Sequence, residues 1–135
     1  MKKFIGAIII ICALISIQSC EKDAGKKPNI AFKTGAGYIS ADASLTGDSM
    51  MTIGITASKS EDKDVLKKFN ISRSYNGKAD STLFEKDLTG AEGDNFSYDL
   101  DTKVFKTSGT KAKYTFTVTN RDGLIGQISL TVTTN

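Results

Sequence analysis

The chain has 135 residues, with 18 Lys+Arg against 15 Asp+Glu, two cysteines and no histidine. The missing histidine rules out a Ser-His-Asp triad, imidazole acid–base chemistry and the commonest zinc ligand. The near-neutral balance, with signs interspersed along the chain, predicts no basic stripe and no nucleic-acid partner.

The first element is an address. Met1-Lys2-Lys3 precedes an apolar run from Phe4 to Ile17, which gives way to Gln18-Ser19-Cys20. A charged start, an apolar middle and a small-residue end are the layout of a secretory signal. The run has 14 residues, short of the roughly 20 that a membrane-crossing helix needs.

Ile17-Gln18-Ser19-Cys20 resembles the lipobox of bacterial lipoproteins, with Gln18 departing from the small or aliphatic residue usual at its position. The resemblance implies that residues 1–19 are removed and that Cys20 carries lipid. It thus implies a membrane partner and an outer-membrane location, on either the cell surface or the periplasmic face. Glu21-Lys22-Asp23 resembles the charged export tags of Bacteroidetes-type surface lipoproteins, and it equally suits a solvated tether. Residues 20–28 read as lipidated cysteine and polar tether, and residues 29–135 as one domain large enough for a single core. The other cysteine, Cys12, leaves with the signal. The domain then has no disulfide and no thiol nucleophile.

From Asn29 onward, period-two alternation dominates. Asn29–Lys33 is the first predicted strand, with Ile30 and Phe32 on one face. Tyr38–Ser40 is a short edge piece after Gly35-Ala36-Gly37, and Ala41–Gly47 is a turn-rich connection. Met50–Ala57 turns Met51, Ile53, Ile55 and Ala57 to one side, and Gly54 on the other side predicts a close neighbour or a bulge. Ser58–Asp64 is a charged loop in which Ser60-Glu61-Asp62 suits one helical turn, with Val65 and Leu66 as plugs. Lys67–Tyr75 is the next strand, with Phe69 and Ile71 inward. Asn76-Gly77 suits a two-residue type I′ turn. That turn would pair Tyr75 with Lys78, Arg73 with Asp80, Ile71 with Thr82 and Phe69 with Phe84, in a strand of about Ala79–Lys86.

Thr89–Asn95 is a loop, Phe96, Tyr98 and Leu100 mark a fifth strand, and Thr107–Thr110 is a turn. In the last hairpin, Tyr114, Phe116 and Val118 face Ile128, Leu130 and Val132. A two-residue Asp-Gly loop would set Val118 against Gln127, core against solvent. A three-residue loop, Arg121-Asp122-Gly123 with Gly123 left-handed, pairs Phe116 with Ile128 and Tyr114 with Leu130, and is therefore expected.

About seven strands in a hundred residues predict an all-β, two-sheet antiparallel sandwich. Gly109 through Gly123, with Tyr114-Thr115-Phe116-Thr117-Val118-Thr119-Asn120, resembles the penultimate strand and turn of Ig-like and PKD-like domains. The resemblance implies an Ig-like sandwich and a corner tyrosine, with the Tyr114 hydroxyl bonded to backbone near Gly109. The whole layout is similar to short Ig-like lipoproteins of Bacteroidetes.

The outward residues Thr115, Thr117, Thr119, Gln127, Ser129 and Thr131 form a candidate binding face for a glycan or an added strand; the same composition also suits a plain solvated face. Asp48-Ser49-Met50 and Asp80-Ser81-Thr82 resemble the O-glycosylation tripeptides of Bacteroidetes envelope proteins, which makes Ser49 and Ser81 candidate acceptors. Glu61-Asp62-Lys63-Asp64 and Glu92-Gly93-Asp94-Asn95 offer oxygens to Ca²⁺ but lack EF-hand spacing, so no metal is expected. Gly35-Ala36-Gly37 precedes no helix and is not a dinucleotide loop, so no cofactor is expected. Asp99 and Asp101 are a carboxylate pair on the outer face of one strand that suits glycoside hydrolysis, and a carboxylate-dependent glycan hydrolase is the weakest of three functional readings. The leading expectation is a non-enzymatic binding or adhesion module with an unidentified glycan or protein ligand. The alternative is an accessory subunit that joins another envelope protein by strand addition.

Overall fold

The computed structural model describes residues 24–135. The expected signal, Cys20 and the expected tag Glu21-Lys22-Asp23 lie outside the described residues. The strands are β1 (Asn29–Phe32), β2 (Ala43–Leu45), β3 (Met50–Ser58), β4 (Leu66–Tyr75), β5 (Ser81–Asp87), β6 (Asn95–Lys103), β7 (Lys111–Asn120) and β8 (Ile125–Thr134), with one 3₁₀ turn at Gly90–Gly93. They form two sheets, ordered β1-β3-β6 and β2-β8-β7-β4-β5. β4, β7 and β8 share one sheet and β1, β3 and β6 the other, as C, F, G and A, B, E do in an immunoglobulin-type sandwich.

Alternation decides what fills the space between the sheets. Met51, Ile53, Ile55 and Ala57 of β3 face Phe69 and Ile71 of β4, and Tyr114, Phe116 and Val118 of β7. Phe69 is fully buried at the centre, its ring 4.9 Å from Phe96, 5.4 Å from Tyr98 and 6.4 Å from Phe116 between centroids. Such aromatic pairs add attraction beyond the area they bury.

The last hairpin has the expected register: Phe116 opposes Ile128, Tyr114 opposes Leu130, and Gly123 has φ 80°. Gly54 has the expected close neighbours. A Cβ there would lie 2.7 Å from Asp99 Oδ1, from Lys33 Cδ and from Tyr38 Cε1.

Four expectations need correction. First, the sandwich is not wholly antiparallel and has eight strands: within the expected connection 41–47, Ala43–Leu45 pairs in parallel with Val132–Thr134, while Tyr38 makes only a single bridge to Thr52. Parallel partners are distant in sequence, so no local pattern announces them. Second, the turn at Asn76-Gly77 forms, with φ 50° and 73° and Lys78 N–H donating to Tyr75 O at 2.8 Å, but the predicted pairing does not follow from it. β5 begins at Ser81, so Arg73 opposes Ser81; a bulge at Leu83 then places Phe84 opposite Ile71. Two one-residue slips restore the parity, so Phe84 still packs against the core and its ring lies 6.2 Å from that of Phe69. Third, the single turn at Ser60-Glu61-Asp62 forms, closed by Asp64 N–H donating to Glu61 O at 3.0 Å, but Leu66 is the first residue of β4 and not part of the loop. Fourth, Tyr114 is fully buried, but its hydroxyl has no hydrogen-bond partner among the described residues, so it is not a corner tyrosine. The Gly109 N–H donates instead to Thr134 O at 2.8 Å.

The incoming chain fixes which end is which. Pro28 is buried, Lys26 N–H donates to Asp64 Oδ2 at 2.7 Å, and Asn120 Nδ2 donates to Lys26 O at 2.8 Å. Residues 24–28 therefore sit at the end that carries the β3–β4 and β7–β8 loops. The opposite end holds the β2–β3, β4–β5 and β6–β7 loops and the last residues of β8. These are the proximal and distal ends below.

Candidate functional site: a polar face and a basic distal end

The structure brings the predicted polar face together on β7 and β8, with Thr115 opposite Ser129 and Thr117 opposite Gln127. It also restricts what that face offers. Thr115 is only 8% exposed, because it lies on a central strand between Ser72 and Ser129. Gln127 Nε2 donates to Thr117 Oγ1 at 2.8 Å, and the Thr131 N–H is taken by Asp42 Oδ1 at 2.7 Å. Beside it lies a hollow of about 440 Å³ lined by Asp42, Ala43, Ser44, Lys111, Thr131 and Thr133. The six predicted residues include no aromatic ring for a sugar to stack on.

The carboxylate pair is committed elsewhere. Asp99 accepts from Lys33 Nζ at 2.6 Å and from Tyr38 OH at 3.3 Å, over the bare Cα of Gly54; Asp101 accepts from Thr52 Oγ1 at 2.6 Å. This clasp pins the loop after β1 across the outer face of β3. Its main effect on Lys33 is to raise the ammonium pKa through the Asp99 hydrogen bond. We expect Asp99→Asn to lower stability by about 1 kcal/mol or less, because the pair is partly exposed. A loss above about 2 kcal/mol in a denaturant titration would contradict that assignment.

Ser49 is half-buried, its hydroxyl donating to Thr46 O at 2.5 Å, while Ser81 is exposed and its hydroxyl donates to Arg73 O at 3.2 Å. The acidic loops lie at the proximal end and are tied up in ion pairs. Glu61 meets Lys26 at 2.7 Å and Lys63 at 3.5 Å, Lys59 meets Asp62 at 3.2 Å and Asp94 at 2.8 Å, and Lys86 meets Glu92 at 2.5 Å. Glu61 and Asp94 hold Lys26 and Lys59 above the ordinary lysine pKa of 10.5. Any stabilisation from this is full below that value and fades only as pH rises through the raised folded pKa.

The distal end differs. Arg73 continues the inward row Phe69, Ile71, Arg73, Tyr75 of β4. Its guanidinium carbon lies 4.6 Å from the ring centroid of Tyr75, 5.2 Å from that of Phe105 and 5.9 Å from that of Tyr114. Cation–π attraction to three rings fixes the orientation of the guanidinium plane. Arg73 Nε and the hydroxyls of Tyr75 and Tyr114 are buried without a hydrogen-bond partner among the described residues. Burial is the main influence on the Tyr75 phenol and raises its pKa, against the opposing charge of Arg73. The alternation Phe69-Ile71-Arg73-Tyr75 carried the signal for this inward arginine, but the expected pairing with Asp80 masked it.

No family model matches the chain, and no curated protein matches it. Among solved structures it is similar to Spo0M, a sporulation control protein from Bacillus subtilis, at 8% identity and a TM-score of 0.45, over 81% of this chain and 49% of that one. It is also similar to a β-glucosidase from Listeria innocua in complex with glucose, at 8% identity and a TM-score of 0.43, over 79% of this chain and 16% of that one. The chain thus spans about half the length of the first and a small part of the second. At this distance neither neighbour lends the chain an activity or a ligand.

Proposed function

We propose that this chain is an envelope lipoprotein, anchored to the outer membrane through lipid on Cys20, whose Ig-like domain is a non-enzymatic binding or adhesion module. The observation that carries the reading is the order Lys2-Lys3, apolar run, Ile17-Gln18-Ser19-Cys20. Two or more acyl chains on one cysteine make a stable anchor. The fold agrees with this arrangement, because the chain enters at the proximal end and leaves the distal end facing away. In variable domains the binding loops sit at the end that here receives the tether; the distal loops are the freer ones.

Cys20→Ala should move the protein from the membrane fraction to the soluble fraction. Continued sedimentation with membranes would refute the anchor. Protease treatment of intact cells then distinguishes a surface-exposed domain from one facing the periplasm.

Strand addition to another envelope protein is the second reading, since β1, β2, β5 and β6 are sheet edges among the described residues. β1 and β2 are short, with four and three residues, and the two longer edges are blunted in other ways. β5 has the bulge at Leu83 followed by Glu85, Lys86 and Asp87, and β6 carries Asp99, Asp101 and Lys103. Co-purification of a stoichiometric partner that survives high salt would favour this reading over ligand capture.

A further inference from the structure

We infer that the distal end binds an acidic polysaccharide, with Arg73 receiving a sugar carboxylate and Lys78, Lys106 and Lys111 holding neighbouring anionic groups. This deepens the reading of the domain as a binding module.

Two independent observations support it. The first is the contrast between the ends. At the proximal end, Lys26, Lys59, Lys63, Lys86 and Arg121 have carboxylate partners, while the exposed Lys27 and Lys67 form no ion pair among the described residues. At the distal end, Arg73, Lys78, Lys103, Lys106, Lys111 and Lys113 have no ion pair among the described residues; the lysines are exposed and Arg73 is half-buried. The two ends thus differ in how many of their basic groups are paired. The distal acids Asp42, Asp48, Asp80 and Asp101 offset part of this charge, leaving six basic against four acidic side chains, but none of them is paired with a base among the described residues. Asp42 accepts from the Thr131 N–H, Asp101 accepts from Thr52, and the exposed Asp48 and Asp80 form no ion pair among the described residues.

The second is the setting of Arg73. Three rings hold its plane, and its buried Nε is without a partner among the described residues. A guanidinium already fixed in place loses little entropy when its terminal nitrogens grip a carboxylate with two parallel hydrogen bonds. The lysines stand close by along the backbone. Lys111 O accepts from Asn76 N–H at 2.8 Å, and Asn76 Oδ1 accepts from Lys111 N–H at 2.9 Å; Lys78 closes the turn at Tyr75, and Lys106 follows Phe105. They are flexible point charges around one oriented fork, which suits a polymer that repeats its anion.

A folded protein is a poorer fit. Protein interfaces bury an apolar and aromatic centre. Among the described residues, the only exposed large apolar side chain on the distal loops and strand ends is Met50, and the rings of Tyr75, Phe105 and Tyr114 lie against Arg73.

The test measures binding of the purified full chain to oligogalacturonate, to its methyl-esterified form, and to a single-stranded DNA of equal charge. The uronate should bind, the ester should not, and the DNA should bind more weakly. Arg73→Lys keeps the charge but loses the fork, and should weaken uronate binding about tenfold or more. Lys78→Gln, Lys106→Gln and Lys111→Gln combined should also weaken it and flatten its salt dependence. Equal affinity for acid and ester, tighter binding of the DNA, or wild-type affinity in Arg73→Lys would overturn the inference. If Arg73→Lys lowers the melting temperature, the triple lysine variant decides, and wild-type affinity there also overturns it. Membrane release in Cys20→Ala is read by fractionation without any ligand, so anchor and ligand can fail separately.

Discussion

Phe69→Ala should cost about 3–5 kcal/mol and lower the melting temperature by upwards of roughly 12 °C. Phe69 is fully buried on a central strand, and its ring contacts Phe84, Phe96, Tyr98 and Phe116 from both sheets. Removing it opens a cavity that the sheets cannot close, because each is held by its own ladder. Phe69→Leu should recover more than half of the loss, since it refills most of the volume. A calorimetric melt decides between the outcomes. A loss under about 1.5 kcal/mol in Phe69→Ala would mean that the sheets collapse around the gap and that the ring cluster does not hold them apart.

Asn120→Ala should cost about 2–3 kcal/mol, a large effect for a side chain outside the apolar core. Asn120 is 2% exposed at the end of β7 and makes three hydrogen bonds. Its Oδ1 accepts from the N–H groups of Asp122 at 3.0 Å and Leu124 at 2.9 Å, which shapes the β7–β8 turn; its Nδ2 donates to Lys26 O. One amide thus joins the turn to the incoming chain. The variant should also become faster to cleave within residues 24–28 under limited proteolysis. Unchanged cleavage together with a lowered melting temperature would show that Asn120 supports the turn alone.

How far these features could be read from the sequence depended on how local their causes are. The last hairpin was readable to the residue, because only one loop length puts Phe116, Ile128, Tyr114 and Leu130 on one face, and Gly123 supplies the left-handed position that loop needs. The earlier hairpin was readable in its turn and in its faces but not in its register. Asn76-Gly77 fixes the turn, and the apolar pattern fixes which side Phe84 takes. Neither resists the extra residues accommodated before Ser81 and at Leu83. β2 was missed because Ala43-Ser44-Leu45 has no pattern of its own and becomes a strand only beside β8.

The polar face was found but partly misjudged, since composition does not reveal that Thr115 is shielded by both neighbouring strands. The basic end was missed because counting interspersed charges says nothing about which of them find partners. Lys59 and Lys86 form ion pairs, whereas Lys106 and Lys111 form none among the described residues, and only the fold separates the two groups.

The direction in which β1 leaves the tether has a mechanical consequence. A pull through residues 24–28 against something held at the distal end runs nearly along the strand axis. β1 is antiparallel to β3, with Asn29 to Phe32 opposite Ser58 to Ile55, and the rungs of such a ladder stand perpendicular to the strands. A force along the axis therefore loads those rungs in shear, all together, where a force across the sheet would peel them one at a time. The sandwich is oriented to bear tension along its length, the load that flow or a moving partner would put on it under the proposed anchor.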